Sequence, residues 1–201
     1  MKKKTIIFDI GYVLVDYDWN EYLHTIFSDE HTIEVVADAL YNHGVWNELD
    51  RGVWTDEQLR AGFIAPAPDY AEQIMEAYDR AGEALSTRPY ANDWIQSLKN
   101  RGYQVLYLSN WSEHIFNVGG HVLTFMPLFD GGIFSCKVHM IKPEKGIYEL
   151  LCKQYNLDPA ECVFIDDNAK NVEGARSVGI TTIHFKDYES ASRELEMILA
   201  E

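Results

Sequence analysis

Short apolar runs punctuate the chain, and each stops at polar residues. Thr5-Ile6-Ile7-Phe8 stops at Asp9, residues 103–108 stop at Ser109-Asn110, and residues 162–165 stop at Asp166-Asp167. Runs this short and this apolar predict buried strands of a parallel sheet. Weaker runs at 132–135 and 181–185 predict two more strands. Between them, apolar residues recur at helical spacing. Trp94, Ile95 and Leu98 share a face within 89–100, with Gly102 as a stop. Ile147, Tyr148, Leu151 and Cys152 share a face within 144–155, with Pro143 at the entry. A third helix is predicted over 168–177, closed by Gly179. Strands alternating with helices predict βαβ units, hence an α/β fold with a parallel sheet flanked by helices.

Residues 16–86 follow another rule. Trp19, Tyr22, Leu23 and Phe27 fall at helical spacing, and a second helical pattern covers 35–41. Thr55-Asp56-Glu57-Gln58 has the form of a helix start, and a long helix is expected over roughly 69–85. No strand pattern is evident, so this stretch is expected to be an all-helical insertion after the first strand. Its Trp19, Trp46 and Trp54 are expected to form a small core of their own. The domain expectation is therefore 1–15 with 87–201 as the core and 16–86 as the insertion.

Charge narrows the function. The 201 residues carry 17 Lys and Arg against 32 Asp and Glu, a formal net charge of -15. That balance disfavours nucleic acid and anionic membrane surfaces, both of which need a basic face. Three cysteines, Cys136, Cys152 and Cys162, without a CxxC spacing disfavour a disulfide scaffold or zinc site. The basic start at residues 1–4 is followed by an apolar stretch that Asp9 and Asp16 interrupt, which argues against a signal peptide. A cytoplasmic location is the expectation.

Asp9, Ser109, Asn110, Asp166 and Asp167 all fall just past the ends of predicted buried strands. That edge of an open α/β sheet is where ligands bind. Carboxylates gathered there repel one another unless a cation holds them or some are protonated. An oxygen-only donor set suits a hard cation, and Mg²⁺ is the natural candidate. Lys142, ahead of Pro143 and a helix entry, adds one positive charge. A metal, a lysine, a hydroxyl and helix N-termini are the parts that bind a phosphate.

In order, Phe8-Asp9-Ile10-Gly11, Leu108-Ser109-Asn110, Lys142-Pro143 and Phe164-Ile165-Asp166-Asp167-Asn168 through Asn171 resemble the four motifs of the haloacid dehalogenase (HAD) superfamily. The detail is similar to its bacterial α-D-glucose-1-phosphate phosphatase branch, which carries a helical cap after the first motif. The resemblance implies a Rossmann-like core, a cap at 16–86, and a Mg²⁺-dependent phosphatase of small phosphorylated metabolites such as sugar phosphates. It implies Asp9 as nucleophile and Ser109 and Asn110 as phosphate-binding groups, with Lys142 neutralising the phosphoryl group. It implies a metal held by Asp9, the Gly11 carbonyl and Asp167, with Asp166 a second ligand through water or an outer partner. Asn171 would steady that shell.

One position departs from the pattern. Many phosphatases of the superfamily carry an acid two residues after the nucleophile, and here that residue is Gly11, which transfers no proton. Gly11 would also serve a turn with positive φ. Asp16 or Asp18 is expected to take the acid's place, or the substrate to have a less basic leaving oxygen. Two rival functions remain. One is a 2-haloacid dehalogenase, against which the acidic pair Asp166-Asp167 weighs. The other is a catalytically idle binding protein of the same fold.

Overall fold

The computed structural model describes residues 3–200; Met1 and Lys2 of the basic start, and Glu201, lie outside it. The strands are β1 (Thr5–Phe8), β2 (Val15–Tyr17), β3 (Leu85–Thr87), β4 (Gln104–Ser109), β5 (Gly131–Phe134), β6 (Cys162–Asp166) and β7 (Thr181–His184). Five of them form one parallel sheet in the order β5-β4-β1-β6-β7. The α/β expectation holds, and helices cover both faces. Successive residues of β1 point to opposite faces, as a strand requires. Ile6 and Phe8 join a cluster with Trp94, Ile95 and Leu98 of the helix Ala91–Asn100. Ile7 joins the other face, with Ile147, Tyr148 and Leu151 of the helix Lys145–Gln154. The helix Tyr188–Ala200, which no sequence pattern above anticipates, closes the first face through Ala191 and Leu195.

Between β2 and β3 the chain is mostly helical, with α-helices Trp19–Ile26, Glu30–Tyr41, Val45–Arg51, Asp56–Ile64 and Ala71–Asp79. Their inward residues, among them Leu23, Val36, Leu49, Phe63 and Tyr78, form a separate hydrophobic cluster. Thr55 makes the expected helix start as a full capping box with Gln58.

Two expectations fail here. The segment 16–86 is not free of strand, because β2 and β3 pair antiparallel, Val15 with Thr87 and Tyr17 with Leu85. Three-residue strands exist only through that pairing, so neither shows in the local pattern. The long helix expected over 69–85 is three pieces: a 3₁₀ turn Pro68–Tyr70, the helix Ala71–Asp79 and a second 3₁₀ turn Ala81–Ala84. A Cβ on Gly82 would lie 2.1 Å from the Val118 carbonyl oxygen, so this backbone is packed directly against the helix Glu113–Gly119. Tertiary packing overrides helix propensity at that point. Among the described residues, no helix is long and apolar enough to cross a membrane.

Candidate active site

The sheet register assembles the site. Phe8 pairs with Ile165 on one side and with Tyr107 on the other. The Asp9 amide continues the ladder by donating to the Ile165 carbonyl at 2.9 Å. Asp9 and Asp166 therefore leave the sheet side by side, with Ser109 ending β4 next to them. β1 lies where the strand order reverses direction, the crevice that open α/β sheets use for ligands.

Asp9 is almost wholly buried and its carboxylate is fully engaged. Oδ1 accepts from the Ile10 amide at 2.7 Å and the Ser109 hydroxyl at 2.8 Å. Oδ2 pairs with Lys142 Nζ at 2.8 Å. Lys142 Nζ also meets Asp166 Oδ2 at 2.7 Å. Asp166 is completely buried and takes further donors from the Asn168 amide at 2.8 Å and from Asn171 Nδ2 at 3.1 and 3.2 Å. Asp167 is more open and faces a cavity of about 320 Å³ that Asp9, Gly11, Lys142 and Asn171 also line.

The charges do not balance. Carboxylate oxygens of Asp9, Asp166 and Asp167 lie within 4.8 Å of one another. Lys142 offsets one of the three negative charges. Burial raises the Asp9 carboxyl, Lys142 opposes that rise, and Asp166 and Asp167 add to it, leaving it at about 8. Burial and Asp166 raise Asp167 as well. Burial works against the charged form of Lys142, but Asp166 and Asp9 outweigh it and hold its pKa above the ordinary value. Two charges short of neutrality, an all-oxygen donor set of this size fits a divalent hard cation.

Asn110 reaches the site, but its amide is not free. Its Oδ1 accepts from the Lys142 amide at 2.8 Å and its Nδ2 donates to the Lys142 carbonyl at 3.1 Å. The side chain splints β4 to the Lys142 loop, so the amide expected to face a phosphate instead fixes the lysine backbone.

Gly11 has no need of its special conformational freedom. The positive φ in this turn, 57°, belongs to Tyr12. A Cβ built on Gly11 meets nothing within 4 Å. The two expected substitutes for the missing acid are committed elsewhere. Asp18 caps the helix Trp19–Ile26 by accepting from the Glu21 amide, and Asp16 pairs with Arg88 at 3.1 Å. Neither lines the cavity.

Two residues that the sequence left unassigned to the site do line it. Trp46 and Asp50 lie one turn apart on the helix Val45–Arg51 and both face the cavity. Trp46 thus serves the cavity as well as the helical cluster expected of it. The lone hint was an acid one turn after an aromatic residue, within a short helix that itself escaped prediction. Gly52 ends this helix at φ +70°, and its Cβ would meet Cys136 at 3.0 Å. Gly52→Ala is therefore expected to cost roughly 1–2 kcal/mol for the left-handed conformation, and more for the clash. Chemical denaturation checks this, and an unchanged midpoint would contradict it.

The haloacid dehalogenase-like hydrolase family model matches residues 3–179. The chain is 26% identical over 200 residues to a sesquiterpene phosphatase of Aspergillus oryzae, covering 98% of this chain and 96% of that protein. It is 46% identical over 150 residues to the mouse bifunctional epoxide hydrolase 2, covering 71% of this chain and 27% of that protein. An (S)-2-haloacid dehalogenase of Burkholderia cepacia is 27% identical over 133 residues, 64% of this chain and 56% of that protein. Among solved structures, a HAD family enzyme of Bacteroides thetaiotaomicron superposes with a TM-score of 0.73 at 24% identity, over 97% of this chain and 99% of that one. The same enzyme has been crystallised with magnesium and inorganic phosphate. A match spanning four of the five strands of the sheet, the helical insertion and Asp9, Asp166 and Asp167 places this chain in the haloacid dehalogenase-like hydrolase family.

Proposed function

We propose that this hydrolase is a Mg²⁺-dependent phosphatase of small phosphomonoesters that works through a phosphorylated Asp9. The observation that carries the reading is the charge deficit at the strand ends. A haloacid dehalogenase uses a similar aspartate without a metal, and a third carboxylate beside Asp9 and Asp166 would only penalise it. In this reading Asp9, Asp167 and the Gly11 carbonyl hold the cation. Asp166, whose oxygens are taken by Lys142, Asn168 and Asn171, orients the shell from outside. When bound, the cation neutralises the carboxylates and the phosphate oxygens. Asp9 attacks phosphorus in line, Lys142 and the Ser109 hydroxyl bind the phosphoryl oxygens, and water then releases phosphate from Asp9. Asn110 acts through Lys142 by fixing its backbone. The helical segment 16–86 is the cap over this site.

The sequence resemblance favoured sugar phosphates such as glucose 1-phosphate. The cavity wall favours a second class. Val15, Leu85, Ile115, Trp46 and Trp111 offer apolar and aromatic surface with few free polar partners, which suits esters of apolar or aromatic alcohols. The test is phosphate release from sugar 1- and 6-phosphates, nucleotides, flavin mononucleotide and alkyl or aryl phosphates, with Mg²⁺ and with chelator. Turnover that depends on Mg²⁺ is expected. Chloride release from 2-chloropropionate with chelator present would establish the dehalogenase instead, and no turnover of any ester would leave a binding protein.

A further inference from the structure

The site has a nucleophile, a lysine and a metal-binding cluster, but at Gly11 no group that moves a proton. Expelling an ordinary alcohol from a phosphate ester needs one. Asp9 and Asp167 are committed to the nucleophile and the cation. Of the carboxyl groups lining the cavity, that leaves Asp50.

We propose that Asp50, carried by the helical segment, is the proton-transferring residue of this site and takes the place left empty at position 11. The inference rests on the phosphatase reading above. Asp50 is buried, yet among the described residues no hydrogen bond to its carboxyl is made. Asp50 lines the cavity one helical turn from Trp46, with its carboxyl near enough to Lys142, on the same wall, to feel its charge. Its main chain is fastened to the catalytic side rather than left to move with the helices. The Ser135 hydroxyl donates to the Asp50 carbonyl at 2.7 Å, and the Ser135 hydroxyl oxygen in turn accepts from the Trp111 amide at 2.9 Å. Arg51 forms a two-pronged pair with Glu144 at 2.7 and 3.1 Å, and His139 Nδ1 lies 3.1 Å from the Arg51 carbonyl. Gly52 packs against Cys136. These contacts hold Asp50 over the loop that delivers Lys142.

Its protonation suits the task. Burial raises the Asp50 carboxyl and Lys142 opposes the rise, leaving it at about 7. Lys142 and the Cys136 thiol are the titratable groups that face it. A carboxyl poised near neutrality can give and retake a proton. As the Asp9–phosphorus bond forms and the ester oxygen–phosphorus bond breaks, the Asp50 proton passes to the departing oxygen. Asp50, now a carboxylate, takes a proton from the water that attacks phosphorus. Phosphate leaves, and both Asp9 and Asp50 return to their starting states.

Two substrates of like shape separate this role from a structural one. p-Nitrophenyl phosphate releases an acidic phenol that needs no proton, whereas p-nitrobenzyl phosphate releases an ordinary alcohol. In Asp50→Asn, single-turnover release of p-nitrobenzyl alcohol should fall about 10²–10⁴-fold, while the first-turnover burst of p-nitrophenolate stays within about tenfold. Steady-state turnover after that burst should slow, because the phosphorylated Asp9 lacks its base. Gly11→Asp added to Asp50→Asn should recover alcohol release, since a side chain at 11 has room. Equal losses on both substrates, or undiminished alcohol release, overturn the role of Asp50 alone. No Mg²⁺-dependent turnover of p-nitrophenyl phosphate by the unaltered protein removes the phosphatase reading, and the role of Asp50 with it.

Discussion

Asp9→Asn is expected to abolish Mg²⁺-dependent phosphate release, with a loss of roughly four orders of magnitude or more, the scale on which removal of a covalent nucleophile acts. The substitution keeps the shape of the side chain. Its amide oxygen still accepts from the Ile10 amide and the Ser109 hydroxyl, so the turn after β1 is retained. What is lost is the anionic oxygen that attacks phosphorus. The variant should still fold and still bind phosphate, because the negative charge that opposes phosphate is reduced. Its thermal midpoint without metal should equal or exceed that of the unaltered protein, since burial already raises Asp9 to about 8 and penalises its ionised form. Turnover within tenfold of the original would end the case for Asp9 as nucleophile.

Lys142→Met should act on stability and rate together. The ammonium is buried between Asp9 and Asp166. Removing one partner of a buried pair leaves the other charge uncompensated, at about 3–5 kcal/mol. For a chain of this length that corresponds to a fall in thermal midpoint on the order of 10 °C. The direction with pH follows from the raised pKa of Lys142. Its stabilisation is complete below the unfolded value of 10.5 and fades only as pH rises through the higher folded value. At neutral pH the unaltered protein therefore has all of it. The variant instead leaves Asp9 and Asp167 with pKa values raised by burial and now without the lysine. Its deficit should be large at pH 8 and shrink toward pH 4 as those carboxyls protonate. The catalytic rate should fall about 10²–10³-fold, as for loss of one preorganised charge-stabilising donor. A deficit that is the same at both pH values would contradict this account.

Much of the site was legible because parallel strands buried on both faces must read as apolar runs. A polar residue that ends such a run must stand at the sheet edge. Asp9, Ser109 and Asp166 were located in that way, and the structure brings their oxygens together. Asn110 shows where that reasoning stops. Its position was right, but an amide two hydrogen bonds deep in the Lys142 backbone is set by the packing of β4 against a loop 32 residues on. Asp18 shows the same limit, since a carboxylate near the site becomes a helix cap if the helix begins beside it.

The sequence alone determined the α/β order, the five strands of the sheet, the helical character of 16–86 and the acidic strand ends. Each depends on periodic burial or on a local cap, and both repeat within a few residues. Only the tertiary structure decided the β2–β3 stem, the break near Gly82, the open space at Gly11 and the arrival of Asp50 at the cavity. Those depend on which surfaces meet across tens of residues, where burial, close backbone approach and paired charge outweigh local preference. Local patterning thus placed Asp9 and left a gap two residues later. Long-range packing brought Asp50 to the cavity that Gly11 also lines.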